Sequence, residues 1–540
     1  MKKTPWWKKA VIYQIYPRSF MDSNGDGIGD IPGIVSKLDY LRNLGIDAIW
    51  LSPVFRSPQD DNGYDISDYC DIDPLFGSLK DMERLFREAE KRNIHIILDL
   101  VLNHSSDEHP WFIEARKSRE NAYHDYYVWR DGAEGMPPSD LQSCFGGSAW
   151  EWVPEVQQYY FHNFSRKQPD LNWENPVLRR ELYDMIRWWV DRGAGGFRLD
   201  VIDHISKDPD TGTLVNGPRL HEFIREMRQE AFICEELVTV GEAWSADTEA
   251  AKLYSTPDGS ELSMIFQFEH ILLDQKPGGE KWDLAPLPLP ALKSVMARWQ
   301  KALHGQGWNS LFWENHDLPR IVSRWGDDGR YRIESAKMFA VLLFGMEGTP
   351  FIYQGQELGM TNAPLALSAY EDLETRNMID IRKAMGFSDE EILRSAHAKS
   401  RDNARTPMQW NGEKNAGFTS GKPWLPVHPN YREVNVKNQI DDESSVFACY
   451  QKLIALRKKF DIFTEGDFRL LLPEDEAIFA YMRTKDEQEL LVECSFSSQV
   501  IPDPLSDKEK GAEMLYGNWG ANNRPGMLRP YEARMYLKTK

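Results

Sequence analysis

The chain has 540 residues, more than one ordinary hydrophobic core holds, which calls for a large barrel or sandwich with accessory pieces. Hydrophobic residues make up 41% and aromatic residues 12%, a globular composition with flat rings to spare for a pocket wall. The 64 Lys and Arg against 84 Asp and Glu leave a formal charge of −20, which repels extended polyanions, so nucleic acid and acidic membrane surfaces are excluded and a neutral partner fits.

The amino-terminal MKKTPWWKKAVIYQIYPRSF starts basic, but its apolar run after Lys9 is short, carries Gln14 and Arg18, and lacks a small-residue cleavage site. It reads as a first strand. No stretch approaches the eighteen or so apolar residues that cross a bilayer. The five cysteines are odd in number and far apart, with neither metal-ligand spacing nor a disulfide framework. A soluble, cytoplasmic monomer is expected. Next, DSNGDGIGD sets Asp22, Asn24, Asp26 and Asp30 among glycines, and the Ile28 carbonyl adds a fifth oxygen. This alternation resembles a calcium loop, without the usual closing Glu, and predicts a structural Ca²⁺ or Mg²⁺; the alternative is a solvated acidic turn.

Short apolar runs then alternate with helix-period segments, as parallel β/α units do. The runs are VIYQIY from Val11, AIWLSP from Ala48, IHIILDLVLNH from Ile94, GFRLDVI from Gly196, LVTVGEA from Leu237, MIFQFE from Met264, NSLFWENHD from Asn309 and TPFIYQGQE from Thr349. Eight alternations predict an α/β fold, a (β/α)₈ barrel over 1–104 and 173–462. Residues 105–172 exceed a normal βα connection and predict a small inserted domain, whose many aromatic residues serve as a sugar-stacking wall or as the insert's own core. From 463 to 540, alternating runs such as AIFAYMRT and ELLVECSF predict a C-terminal antiparallel β domain.

Barrel active sites assemble at the carboxyl ends of the strands. Here those ends carry Asp99, Asn103 and His104, then Arg198 and Asp200, then Glu242, then Asn315, His316 and Asp317. One such end is explained by an ion pair that staples a strand. Four call for a substrate, a cation or shared protons. Arg198 precedes Asp200 by two residues, so both share one face of the strand and the guanidinium can hold the carboxylate ionised.

The ordered segments DLVLNH, GFRLDVI, VGEAW and ENHDLPR resemble the four signature regions of the α-amylase family of glycoside hydrolases. The segments SPQDDNGYDISDY, QPDLNWENP, YQGQELGM and SRDNARTPMQW extend the resemblance to its oligo-1,6-glucosidase and dextran glucosidase branch, over nearly the whole chain. The resemblance implies barrel, inserted and C-terminal domains and retaining, exo-acting hydrolysis of terminal α-1,6-linked glucose from isomaltose and short isomalto-oligosaccharides. It implies Asp200 as nucleophile, Glu242 as acid/base and Asp317 as the third carboxylate, with His104 and His316 donating to the same sugar ring. Asp61 and Arg401 are similar to the pair that closes the pocket, Arg405 being a rival to Arg401. Tyr64 is similar to the stacking platform, Phe164 and Gln168 to pocket-lining residues. Val201 stands where valine accompanies α-1,6 and threonine α-1,4 preference. Val240 and Gly241 offer Glu242 little polar compensation, which predicts a raised pKa. Leu318, Ala243-Trp244 and Gln356 depart from the usual pattern and leave acceptor and linkage open. An α-1,4-glucosidase, a trehalose-6-phosphate hydrolase, a sucrose isomerase and a catalytically silent interaction barrel are the competing readings.

Overall fold

The structure is a computed structural model that describes residues 4–132, 135–520 and 526–539. Small parts of the expected insert and C-terminal domain therefore lie outside the described residues. The eight anticipated runs all form strands: β1 (Ile12–Ile15), β2 (Ala48–Leu51), β3 (His95–Val101), β4 (Gly196–Asp200), β5 (Val238–Glu242), β6 (Met264–Phe266), β7 (Ser310–Leu311) and β8 (Thr349–Tyr353). They build one nearly closed parallel barrel, in the sheet order β6-β5-β4-β3-β2-β1-β8-β7. By contact density the chain divides into two compact units, Trp50–Gln267 and Met1–Ile49 with Phe268–Lys540.

In Trp50–Gln267, β4 is buried along its whole length, as a strand covered on both faces must be. Its first residue has to be glycine: a Cβ on Gly196 would stand 2.2 Å from the Val238 carbonyl oxygen of β5. The helix ahead of β4, α1 (Pro176–Val190), starts where Asn175 accepts a hydrogen bond from the Val177 amide and Pro176 fills the first helical position. It buries Leu178, Leu182, Ile186 and Trp189, a 3.6-residue stripe. The segment after β3 carries a three-stranded antiparallel sheet of Trp129–Arg130, Gln158–Phe161 and Trp150–Val153. Val128, Trp150, Tyr159 and Phe161 are its own core, so these three aromatic rings hold the insert together.

In the second unit, the segment after β1, DIPGIVSKLDYLRNLG, forms two helices, Ile31–Ser36 and Leu38–Leu44, divided at Lys37 (φ −110°, ψ 4°). The carboxyl-terminal part is an antiparallel sheet of Asp467–Leu471, Ile478–Lys485, Gln488–Ser495, Ala533–Thr539 and Glu513–Gly517, in that order. Ile478, Ala480, Met482, Leu491 and Tyr536 line one of its faces. No helix among the described residues is long and apolar enough to cross a membrane.

Candidate active site

Register sets the first half of the site. On β4, Arg198 lies opposite Asp99 of β3 and Val240 of β5, and the two-residue repeat brings Asp200 and Glu242 to the same rim. Arg198, 2% exposed, is the hub. Its Nη1 donates to Asp99 Oδ1 and to Asp200 Oδ1, each at 2.8 Å, and its Nη2 donates to Glu242 Oε2 at 2.5 Å. Trp50 Nε1 and Tyr64 Oη donate to the other oxygen of Asp99, both at 3.1 Å. One guanidinium thus faces three carboxyl groups.

Burial pushes the Asp200 carboxyl well above the ordinary range; Arg198 pulls it back, while Glu242 and Asp99 add to the push. Burial likewise raises Asp99, to about 6, against the pull of Arg198. Asp99 and Asp200 therefore hold a proton more tightly than separate carboxyls would, and Arg198 lessens that effect of burial without cancelling it. Glu242 has more polar support than its neighbours in sequence suggest. Besides Arg198, the Val201 amide donates to its Oε2 at 3.1 Å and the Trp244 indole to its Oε1 at 3.0 Å. The Val201 contact uses a left-handed backbone (φ 35°, ψ 49°), a strained conformation for a β-branched residue.

The same unit gathers the other expected sugar contacts. Gln168 Nε2 lies 3.2 Å from Asp61 Oδ2 and 3.1 Å from His104 Nε2, and His104 Nε2 lies 3.2 Å from the Tyr64 carbonyl oxygen. The Phe164 ring sits 5.2 Å from that of His104. Burial pushes the His104 imidazole down to about 4, so at neutral pH the ring is uncharged, with one donor and one acceptor nitrogen.

In the second unit, Asp317 accepts from both rival arginines, Arg405 Nη2 at 2.7 Å and Arg401 Nη1 at 3.3 Å. Arg405 is also fixed through Nε to the His316 carbonyl oxygen at 2.9 Å. Arg401 turns its Nε to Asp372 at 2.7 Å. Burial disfavours an ionised Asp372, but Arg401 and Arg405 outweigh it and hold the carboxyl at about 2. His316 is wholly buried, 2.8 Å from Gln14 and 3.1 Å from Asp317. Asp372 and Trp50 belong to these networks without any signal in the sequence reading. Asp372 lies outside every quoted motif and doubles as a helix cap for Thr375.

A family model described as "Alpha amylase, catalytic domain" matches residues 14–466. The chain belongs to the α-amylase family of glycoside hydrolases. It is an enzyme of this family, of the oligo-1,6-glucosidase type, 51% identical to the oligo-1,6-glucosidase of Parageobacillus thermoglucosidasius over 98% of each chain. It is also 53% identical to the glucan 1,6-alpha-glucosidase of Streptococcus pneumoniae, again over 98% of each chain. Among solved structures, the trehalose-6-phosphate hydrolase of Bacillus licheniformis superposes with a TM-score of 0.95 at 47% identity, over 99% of this chain and 100% of that one.

For this family member a bound metal was expected at Asp22, Asn24, Asp26, Ile28 and Asp30. The donor set is oxygen throughout, which fits a hard divalent cation. Its carboxylates also serve the loop itself. Asp22 accepts from the amides of Asn24 (2.9 Å), Gly25 (2.7 Å) and Gly27 (2.8 Å) and from the Thr419 hydroxyl, and Asp30 accepts from the amides of Ser23 (3.0 Å) and Gly33 (2.6 Å). Among the described residues, the acidic group that could hold a metal is elsewhere, at Glu493, Asp503 and Glu509, whose oxygens lie within 4.8 Å of one another. Arg534 Nη1 already stands among them, 3.6, 3.1 and 2.9 Å away respectively.

Proposed function

We propose that the chain is a retaining, exo-acting α-glucosidase that removes terminal α-1,6-linked glucose from isomaltose and short isomalto-oligosaccharides. The observation that carries this reading is the Arg198 fork, which grips Asp200 with one nitrogen and Glu242 with the other. Two carboxyl groups held by one guanidinium stand side by side, and a retaining mechanism needs such a pair, one carboxyl to attack and one to give the proton. In this reading the Asp200 carboxylate attacks the anomeric carbon while Glu242 gives its proton to the departing glycosidic oxygen. The glycosyl ester on Asp200 is then hydrolysed by a water that Glu242, now the base, deprotonates. Arg198 keeps the attacking carboxylate aligned and takes up its charge as each bond to it breaks.

Asp317, His104 and His316 take the hydroxyls of the reacting sugar, and Tyr64 offers its ring face. The family resemblance gives Asp61 and Arg401, with Gln168 and Phe164, the role of closing a pocket on the terminal glucose, which is what exo action requires. Arg401 suits that role better than Arg405 because its side chain is the less deeply buried of the two, 11% exposed against 2%. A neutral sugar suits the site better than a phosphosugar, because its neighbouring cations are committed: Arg198 to carboxylates, and Lys207 to Asn103 at 2.5 Å and to Asp170. The loop Asp22–Asp30 would hold Ca²⁺ or Mg²⁺ for stability, supplying no group to the reaction. The domains of this reading are the barrel over 1–104 and 173–462, the insert over 105–172 and the β domain over 463–540.

The test is incubation with isomaltose, maltose, sucrose, trehalose 6-phosphate and a short dextran, with products identified. Glucose from isomaltose at the highest kcat/KM supports the reading. Faster turnover of trehalose 6-phosphate, or rearrangement of sucrose, overturns it.

A further inference from the structure

The turn after β4 carries Asp203, a wholly buried carboxylate whose basic neighbour is His204 Nε2, 3.8 Å away. Such a group is expensive to bury and needs hydrogen bonds to persist. Its Oδ1 has none, and its Oδ2 has two, both from Ser245: the amide at 3.1 Å and the hydroxyl at 2.5 Å. The clamp is closed by Asn216, whose amide nitrogen donates to the Asp203 carbonyl at 2.8 Å and whose side chain donates to the Ser245 hydroxyl at 2.8 Å. Tyr254 in turn donates to the Asn216 side chain at 3.2 Å.

Ser245 is exposed, and so is its predecessor Trp244, at 41%. The Trp244 indole nonetheless reaches Glu242 Oε1 at 3.0 Å. The chain on either side of it is fixed: the Ala243 amide donates to the Phe266 carbonyl at 3.2 Å, and Ser245 is held by Asp203. We propose that Asp203 is a positioning residue for the acid/base. By clamping Ser245 it holds the Trp244 indole N–H on Glu242 Oε1 and so fixes the direction in which that carboxyl faces the departing oxygen. This inference rests on the reading of Glu242 as acid/base.

A loosened acid costs most where the leaving group needs its proton. Asp203→Ala is therefore expected to lower kcat on isomaltose by about 10-fold, a fraction of the 10²- to 10⁴-fold a general acid contributes, and to leave an activated aryl α-glucoside within about 2-fold. Asp203→Asn, whose amide oxygen still accepts from Ser245, should restore isomaltose turnover. Trp244→Phe, which keeps the ring and deletes the N–H, should reproduce the Asp203→Ala defect, and the double variant should be no worse than either single one, as members of one network behave. Ser245→Ala, at an exposed position, removes the hydroxyl arm of the clamp and should give a smaller loss of the same selectivity if Asp203→Ala folds poorly. Equal losses on both substrates, failure of Asp203→Asn to rescue, or additive losses in the double variant would overturn the clamp. Glu242→Gln belongs in the same series. If it is itself unselective between the substrates, the acid/base reading fails; if it is selective and the clamp variants are not, only the present inference fails.

Discussion

Two clusters in this molecule, each a single arginine among several carboxyls, have opposite uses. At the rim of the barrel Arg198 faces Asp99, Asp200 and Glu242; in the C-terminal sheet Arg534 faces Glu493, Asp503, Glu509 and Glu532. Both hold more acid than base. In the first, Asp200 and Glu242 stand at the carboxyl ends of adjacent parallel strands, and donors from three directions orient Glu242. In the second, Glu493 is buried within an antiparallel strand beside Asp503 and Glu509, with Arg534 Nη1 3.6 Å from its Oε1. An excess of carboxyls marks a place where protons are held. Strand ends and oriented donors mark a place where they can be used.

The comparison predicts that substitutions in the first cluster remove activity and leave stability, while those in the second do the reverse. Asp200→Asn deletes the attacking charge and preserves shape, so turnover should fall by more than the roughly 10²- to 10⁴-fold that a general acid contributes, with an unchanged melting temperature. Glu242→Gln should fall within that range on isomaltose and lose far less on an activated aryl glucoside, as paired kcat/KM measurements would register. Arg534→Met should leave kcat unchanged and destabilise the fold by about 3 to 5 kcal/mol, since it strands buried carboxyls without their cation.

The pH dependence of that stability has a definite sign. Burial raises the Glu493 carboxyl well above its ordinary 4.5, with Asp503 and Glu509 adding to the rise. The folded state then binds more protons than the unfolded one between the two values. Stability from this group is complete below about 4.5 and is lost as pH climbs towards the folded value. Glu493→Gln should flatten that slope in a pH series of melting curves, and an unchanged slope would place the retained proton elsewhere.

Val201→Thr exchanges a methyl for a hydroxyl beside Asp200 and should shift the ratio of isomaltose to maltose kcat/KM towards maltose by about 10- to 200-fold. A constant ratio would leave Val201 with only its backbone role towards Glu242. The smallest expected effect is metal removal. Stripping divalent cations should lower the melting temperature by about 1 °C for each 1 kcal/mol the ion contributes to a chain of this length, with kcat at 25 °C unaffected; an unchanged melting temperature would leave Asp22–Asp30 an acidic turn.

The barrel was legible because each strand is a short apolar run ending in polar residues, and period two placed Arg198 and Asp200 on one face. The division of the first helical segment at Lys37 was not, since both halves keep the same amphipathic stripe. The left-handed Val201 is contrary to its residue type, so no propensity argument could find it. Asp372 and Asp203 act through partners far away in sequence, Arg401 and Ser245, and such pairings exist only once the chain has folded.

The central claim is that Asp200 and Glu242, gripped by one guanidinium, work as nucleophile and acid/base of a retaining mechanism. Proton NMR of the glucose first released from an aryl α-glucoside tests it most directly. The account predicts that the α anomer appears first and mutarotates afterwards. Initial release of the β anomer would mean a single displacement by water and would contradict it.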